Sequence, residues 1–183
     1  MKIVKKAVLL PGVGYNCDKP LLYYSGKVLT SQGFEVIKIN YDLPQLDIKN
    51  HHELRMKLFE EAYRQSSEEL SNARLNEADE LIFVGKSIGC YVACLLHQRQ
   101  YTHSRLVLLT PLIETFDLSP DGALVISGLE DPWADAKAIK KRAKDNNNQM
   151  IFLHGNHSLE VRGDYQGNLR KVGEVLDALT LFV

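Results

Sequence analysis

The chain has 183 residues, 45% of them hydrophobic and 25% charged, the balance of an ordinary globular protein long enough to bury a substantial core. A net charge of −1 offers no attraction for nucleic acid or an anionic membrane surface, and neither is expected as a partner. No run approaches the roughly 18 apolar residues of a membrane-crossing helix, and Ala7 to Leu10 is too short for a secretory signal core, so a cytoplasmic protein is expected.

Six short runs rich in Val, Ile and Leu alternate with longer amphipathic stretches. KKAVLLPG (5–12) reads as a strand ending at Pro11-Gly12, followed by a helical pattern over 18–32 that carries Leu21, Leu22, Val28 and Leu29. FEVIKINYD (34–42) precedes a helix over 50–74, where Leu54, Leu58 and Ala62 recur at four-residue spacing. ELIFVGKS (80–87) runs into a stretch over 88–102 that is apolar almost all round, as in a helix buried within the fold. Cys90 and Cys94 lie four apart in it; together with Cys17 they show no metal or disulfide spacing and read as small buried hydrophobes. RLVLLTPL (105–112) follows, then a link, PLIETFDLSPD, too short for a helical cap or an ordinary crossover helix. GALVISG (122–128) leads to a helix over 132–147 with a solvated basic face of Lys137, Lys140, Lys141, Arg142 and Lys144. QMIFLHG (149–155) leads to a last helix over 165–180, with Leu169, Val172, Leu176 and Leu179 on one stripe. This alternation predicts an α/β fold in a single domain over 1–183, a three-layer α/β/α sandwich around a mostly parallel six-stranded sheet. The C-terminal ends of its strands, and any active site, then share one edge.

The segment Gly85-Lys86-Ser87-Ile88-Gly89 admits two chemistries. A phosphate-binding loop needs a glycine five residues before Gly85, but that position is Glu80, and Leu81 to Val84 are strand rather than a glycine-rich cradle. A dinucleotide fingerprint at Gly12-Val13-Gly14 fails because the third glycine position holds Cys17. The alternative, G-x-S-x-G, arises by chance in roughly one such chain in twenty, given a glycine content of about 7%. Here it stands at a strand-to-helix junction, where a nucleophile elbow belongs. The partners come in the matching order of serine, acid, histidine: Leu129-Glu130-Asp131-Pro132-Trp133 follows the fifth run and Asn156-His157-Ser158 the sixth.

With these residues the chain resembles the α/β-hydrolase superfamily, specifically its small capless serine hydrolases, over nearly its whole length from about Lys6. PGVGYN is similar to the oxyanion-hole loop, GKSIG to the elbow, SGLEDPW to the acid turn and GNHSLE to the histidine loop. Two departures are a six-stranded core, lacking the first two strands of the full fold, and Pro11-Gly12 where many members have His-Gly. The resemblance implies a hydrolase of carboxylic esters or thioesters that works through an acyl-enzyme, with no cofactor or metal and a small acyl substrate as its partner.

Ser87 is then the expected nucleophile and His157 its base, with His154 as rival. Asp131 is the expected acid, with Glu130 and Asp135 as alternatives; a turn or helix cap is the plainer use of an Asp-Pro. The oxyanion donors are expected at the Ile88 amide and at Val13, with Gly14 and Tyr15 also possible. His51-His52-Glu53 lacks the spacing that puts two ligands on one helical face. An open site bordered by Leu112, Ile113, Phe116 and Leu118, favouring short acyl chains, is expected from the short link. The competing expectation is a non-catalytic binding or interaction protein that keeps the hydrolase scaffold.

Overall fold

The computed structural model describes residues 3–44 and 48–183. Six strands, β1 (Lys5–Leu10), β2 (Glu35–Lys38), β3 (Glu80–Lys86), β4 (Arg105–Leu109), β5 (Leu124–Gly128) and β6 (Gln149–Leu153), form one sheet in the order β2-β1-β3-β4-β5-β6. Every neighbouring pair is parallel. Alternate side chains therefore feed two cores. Ala7, Leu9, Ile82, Val84 and Val107 meet helices α1 (Pro20–Ser31) and α5 (Tyr165–Phe182) on one face. Val8, Leu10, Phe83, Leu106 and Leu108 meet α2 (His52–Leu70), α3 (Ile88–Arg99) and α4 (Ala136–Asp145) on the other. Strands buried on both faces read as unbroken apolar runs, which is why short Val-, Ile- and Leu-rich segments ending at turn residues marked them.

The sheet is wholly parallel, and several elements are shorter than their sequence patterns. The second strand pairs only over Glu35–Lys38, because it lies at the sheet edge, where Ile39 still donates to the Leu9 carbonyl at 3.0 Å before the chain turns away. Helix α4 begins at Ala136 rather than near 132, since the Asp135 carboxylate accepts from the Ala138 amide at 2.8 Å and caps it. The buried stripe of α5 is Lys171, Val175, Leu179 and Phe182, while Leu169 is 66% exposed. Of the stripe read from the sequence, Leu179 is buried and Val172 packs against the core, while Leu169 faces outward; Lys171 turns inward, where its ammonium donates to the His154 carbonyl at 3.0 Å.

Between β4 and β5 the chain makes only a 3-10 turn, Ile113–Asp117, whose Leu112 and Phe116 side chains fill the core. No described helix is long and apolar enough to cross a membrane.

Candidate active site

Ser87 is the pivot between β3 and α3, with φ 57° and ψ −118°. A non-glycine residue in that region carries strain of about 1–3 kcal/mol and persists only where its surroundings hold it. Here the Ser87 amide donates to the Leu109 carbonyl at 3.0 Å, and the Cys90 amide donates to the Ser87 carbonyl at 3.0 Å. The Cys90 thiol braces the turn from below, 3.2 Å from the Gly85 carbonyl and 3.3 Å from that of Leu109. Burial pushes this thiol up to about 12, so it is a neutral strut rather than a nucleophile. Gly89 is required by contact: a Cβ there would lie 2.1 Å from the Leu10 carbonyl oxygen, so only glycine lets the first turn of α3 dock on the end of β1.

The loops after β5 and β6 meet this turn. His157 Nε2 lies 2.8 Å from Ser87 Oγ, and Nδ1 lies 2.7 Å from Asp131 Oδ2. With Asp131 ionised its oxygen only accepts, so Nδ1 carries the proton and Nε2 is left to accept from the serine hydroxyl. The Asp131 side chain is fully buried, and its second oxygen accepts from the Trp133 amide at 2.8 Å. His157 is held below its ordinary pKa chiefly by burial, opposed by the Asp131 hydrogen bond.

The two loops interlock. Gly128 permits the approach, since a Cβ there would lie 2.4 Å from the Gly155 carbonyl oxygen. The Asn156 side chain accepts from the Ser158 amide at 2.7 Å and the Glu160 amide at 3.2 Å, which shapes the loop that carries His157. The acids weighed beside Asp131 are engaged elsewhere: Glu130 accepts from His154 Nδ1 at 2.8 Å and from the Gly155 amide, and Asp135 caps α4. His154 points to solvent, its side chain 79% exposed.

Facing Ser87 across the edge, Gly12 and Tyr15 exchange backbone hydrogen bonds of 3.0 and 3.2 Å around a tight turn. The Tyr15 amide is spent in that exchange. The Val13 and Gly14 amides have no acceptor among the described residues, and Ile88, at the start of α3, has one of the orphan donors of a helix N-terminus. A cavity of about 440 Å³ opens between them, lined by Val13, Gly14, Ile48, Ile88, Leu112 and Trp133, with Ser87 and His157 on its floor. Among the described residues no group of three or more His, Cys, Asp or Glu side chains converges on a point where a metal could sit.

Several features of the site were invisible in the sequence. Trp133 packs on His157 with ring centroids 5.9 Å apart, and Ile48 arrives from the connection between β2 and α2. Arg55 ties the walls together: Nε donates to Glu114 at 2.8 Å, and Nη1 donates to the Ile48 and Lys49 carbonyls, both at 3.0 Å. The only sequence signal for Trp133 was its place in the acid turn; for Ile48 and Arg55 there was none.

No protein-family model matches the chain, and no curated protein matches it in sequence. Solved structures do. A serine hydrolase without a lid from Xanthomonas campestris is 16% identical, at a TM-score of 0.67 that covers 100% of this chain and 83% of that one. Est1E of Butyrivibrio proteoclasticus is 10% identical, at a TM-score of 0.73 over 100% of this chain and 88% of its own. An esterase of Pyrococcus furiosus is 13% identical, at a TM-score of 0.63 over 96% and 83%. At such identities the likeness is one of fold: this chain has the α/β-hydrolase fold.

Proposed function

We propose that the protein is a lidless serine hydrolase of the α/β-hydrolase superfamily, cleaving carboxylic esters or thioesters of small acyl groups through an acyl-enzyme. The observation that carries this reading is the unbroken chain from Asp131 through His157 to Ser87, with contacts of 2.7 and 2.8 Å. It draws on three loops at one sheet edge and ends in a cavity.

Ser87 Oγ attacks the acyl carbon as His157 Nε2 takes its proton, and Asp131 steadies the imidazolium that forms. The Ile88 amide and that of Val13 or Gly14 hold the negative oxygen of the tetrahedral species. Collapse expels the alcohol or thiol, which leaves with the proton from His157. Water then attacks the acyl-serine, gives its proton to the same nitrogen, and the acid departs as Ser87 regains its hydrogen. No step draws on a cofactor. The apolar lining from Ile48, Leu112 and Trp133 suits a short acyl chain.

A fluorophosphonate probe reacts only with an activated serine. Covalent labelling that disappears in Ser87→Ala supports the reading, whereas a folded protein that stays unlabelled is a binding protein on the same scaffold.

A further inference from the structure

Lys86, immediately before the strained serine, is 1% exposed. Its ammonium lies 4.9 Å from the centre of the Tyr15 ring and, among the described residues, has neither hydrogen-bond acceptor nor ion-pair partner. Burying an unpaired ammonium is costly, and methionine would fill the same space without that cost. Packing therefore gives no reason for a lysine here; its charge does. Its ammonium faces the Tyr15 ring of the loop after β1, and the titratable groups within its electrostatic reach are Cys90 from α3, Asp131 from the loop after β5 and His157 from the loop after β6. Burial keeps Tyr15 and Cys90 protonated and neutral, both pushed up to about 12. The charge is thus left to act on the acid and the base.

We propose that the buried Lys86 ammonium is a positioning residue, a fixed cation behind the site that biases His157 toward the neutral imidazole. An ammonium near His157 opposes a second positive charge on the imidazole. The base therefore stays ready in mildly acidic water. The ring face of Tyr15 is what makes the unpaired cation tolerable. The consequence for turnover rests on the serine-hydrolase reading; the effect on His157 does not.

Ring-proton NMR of His157 in the wild type, Lys86→Met and Lys86→Gln reads the effect without any substrate. Both variants should titrate higher than wild type. The acid limb of kcat/KM on p-nitrophenyl acetate should move with them, giving a several-fold slower rate below both limbs. The melting temperature at pH 7 should be equal or higher, which a merely structural lysine would not give. Superposable titrations and acid limbs in folded variants overturn the proposal. Should neither variant fold, the ring-proton titration of His157 in the wild type decides: a midpoint below the ordinary 6.5 is expected, and one above it overturns the proposal. A wild type inert to esters, with His157 still shifted by Lys86, would sink the hydrolase reading and leave this one standing.

Discussion

Two histidine–carboxylate pairs sit side by side at the edge of the sheet. Glu130 holds His154 at 2.8 Å, and Asp131 holds His157 at 2.7 Å. The distances are nearly equal and the acids are neighbours in sequence. In the first pair the side chains are 79% and 56% exposed; in the second they are 18% and 0% exposed. Water screens the first pair and leaves it little to do beyond tying two loops together. The second is desolvated, oriented by the Trp133 amide and aimed at a hydroxyl. What separates a surface ion pair from a candidate proton relay is therefore burial and a third partner, not the distance between acid and imidazole.

The comparison can be broken most sharply at its third partner. Ser87→Ala should lower kcat on activated esters by a factor on the order of 10⁶ while the fold survives; near-normal turnover would show that His157 points at the wrong group. His157→Ala should cost almost as much, because the two residues act together, whereas His154→Ala should stay within a few-fold of wild type. Reversal of that order in a paired kinetic assay would move the base to the exposed pair. Asp131→Asn should fall by about 10⁴ through loss of the correct tautomer. Glu130→Gln should change kcat/KM only slightly and leave the melting temperature unmoved, and a steep loss there would mean that the two pairs are coupled.

The pH profile sharpens the contrast further. Burial lowers the His157 pKa, so activity should persist below the usual midpoint of 6.5 and fall as pH drops through the folded-state value. An acid limb above 6.5 would contradict the buried-base assignment. The smallest effect concerns the cavity: each methylene beyond the short chain that fits should gain less than about 0.8 kcal/mol. Rates across p-nitrophenyl esters from acetate to palmitate, rising toward the long chains or jumping above the micelle threshold, would show that the pocket is not open and shallow.

Much of this architecture was legible because a buried parallel strand is a local signal: Ala7 to Leu10 or Leu81 to Val84 can be little else when glycine or proline follows and an amphipathic stretch comes next. That the C-terminal ends of the strands share one edge could be reasoned from handedness, though the order of the strands could not, and the juxtaposition of Ser87, Asp131 and His157 followed from their places just past three strand ends. Choosing among Glu130, Asp131 and Asp135 was harder, since the direction each carboxylate takes depends on a loop conformation fixed by Gly128 meeting Gly155. The face of α5 was read only in part: Leu179 and Val172 meet the core, but Lys171, a charged residue, points inward to the His154 carbonyl while Leu169 points out. Ile48 and Arg55 could not be placed, because nothing near them in sequence says that Ile48 lines the cavity or that Arg55 pairs with Glu114.

The sheet order has a consequence for how the protein comes into being. The β1–β3 pairing joins Lys5 to Glu80, 75 residues apart, whereas β3 pairs with β4, β4 with β5 and β5 with β6, each the next strand in sequence. Pairings between segments so distant are the slow steps of folding, since the intervening chain must lose its freedom before the contact rewards it. Helices and the strands β3 to β6 can assemble, bringing the imidazole to the hydroxyl, while the loop after β1 with its Val13 and Gly14 amides is still missing. Recovery of labelling by a fluorophosphonate during refolding would then lag behind recovery of helical circular dichroism, and the site would serve as its own clock for the docking of β1.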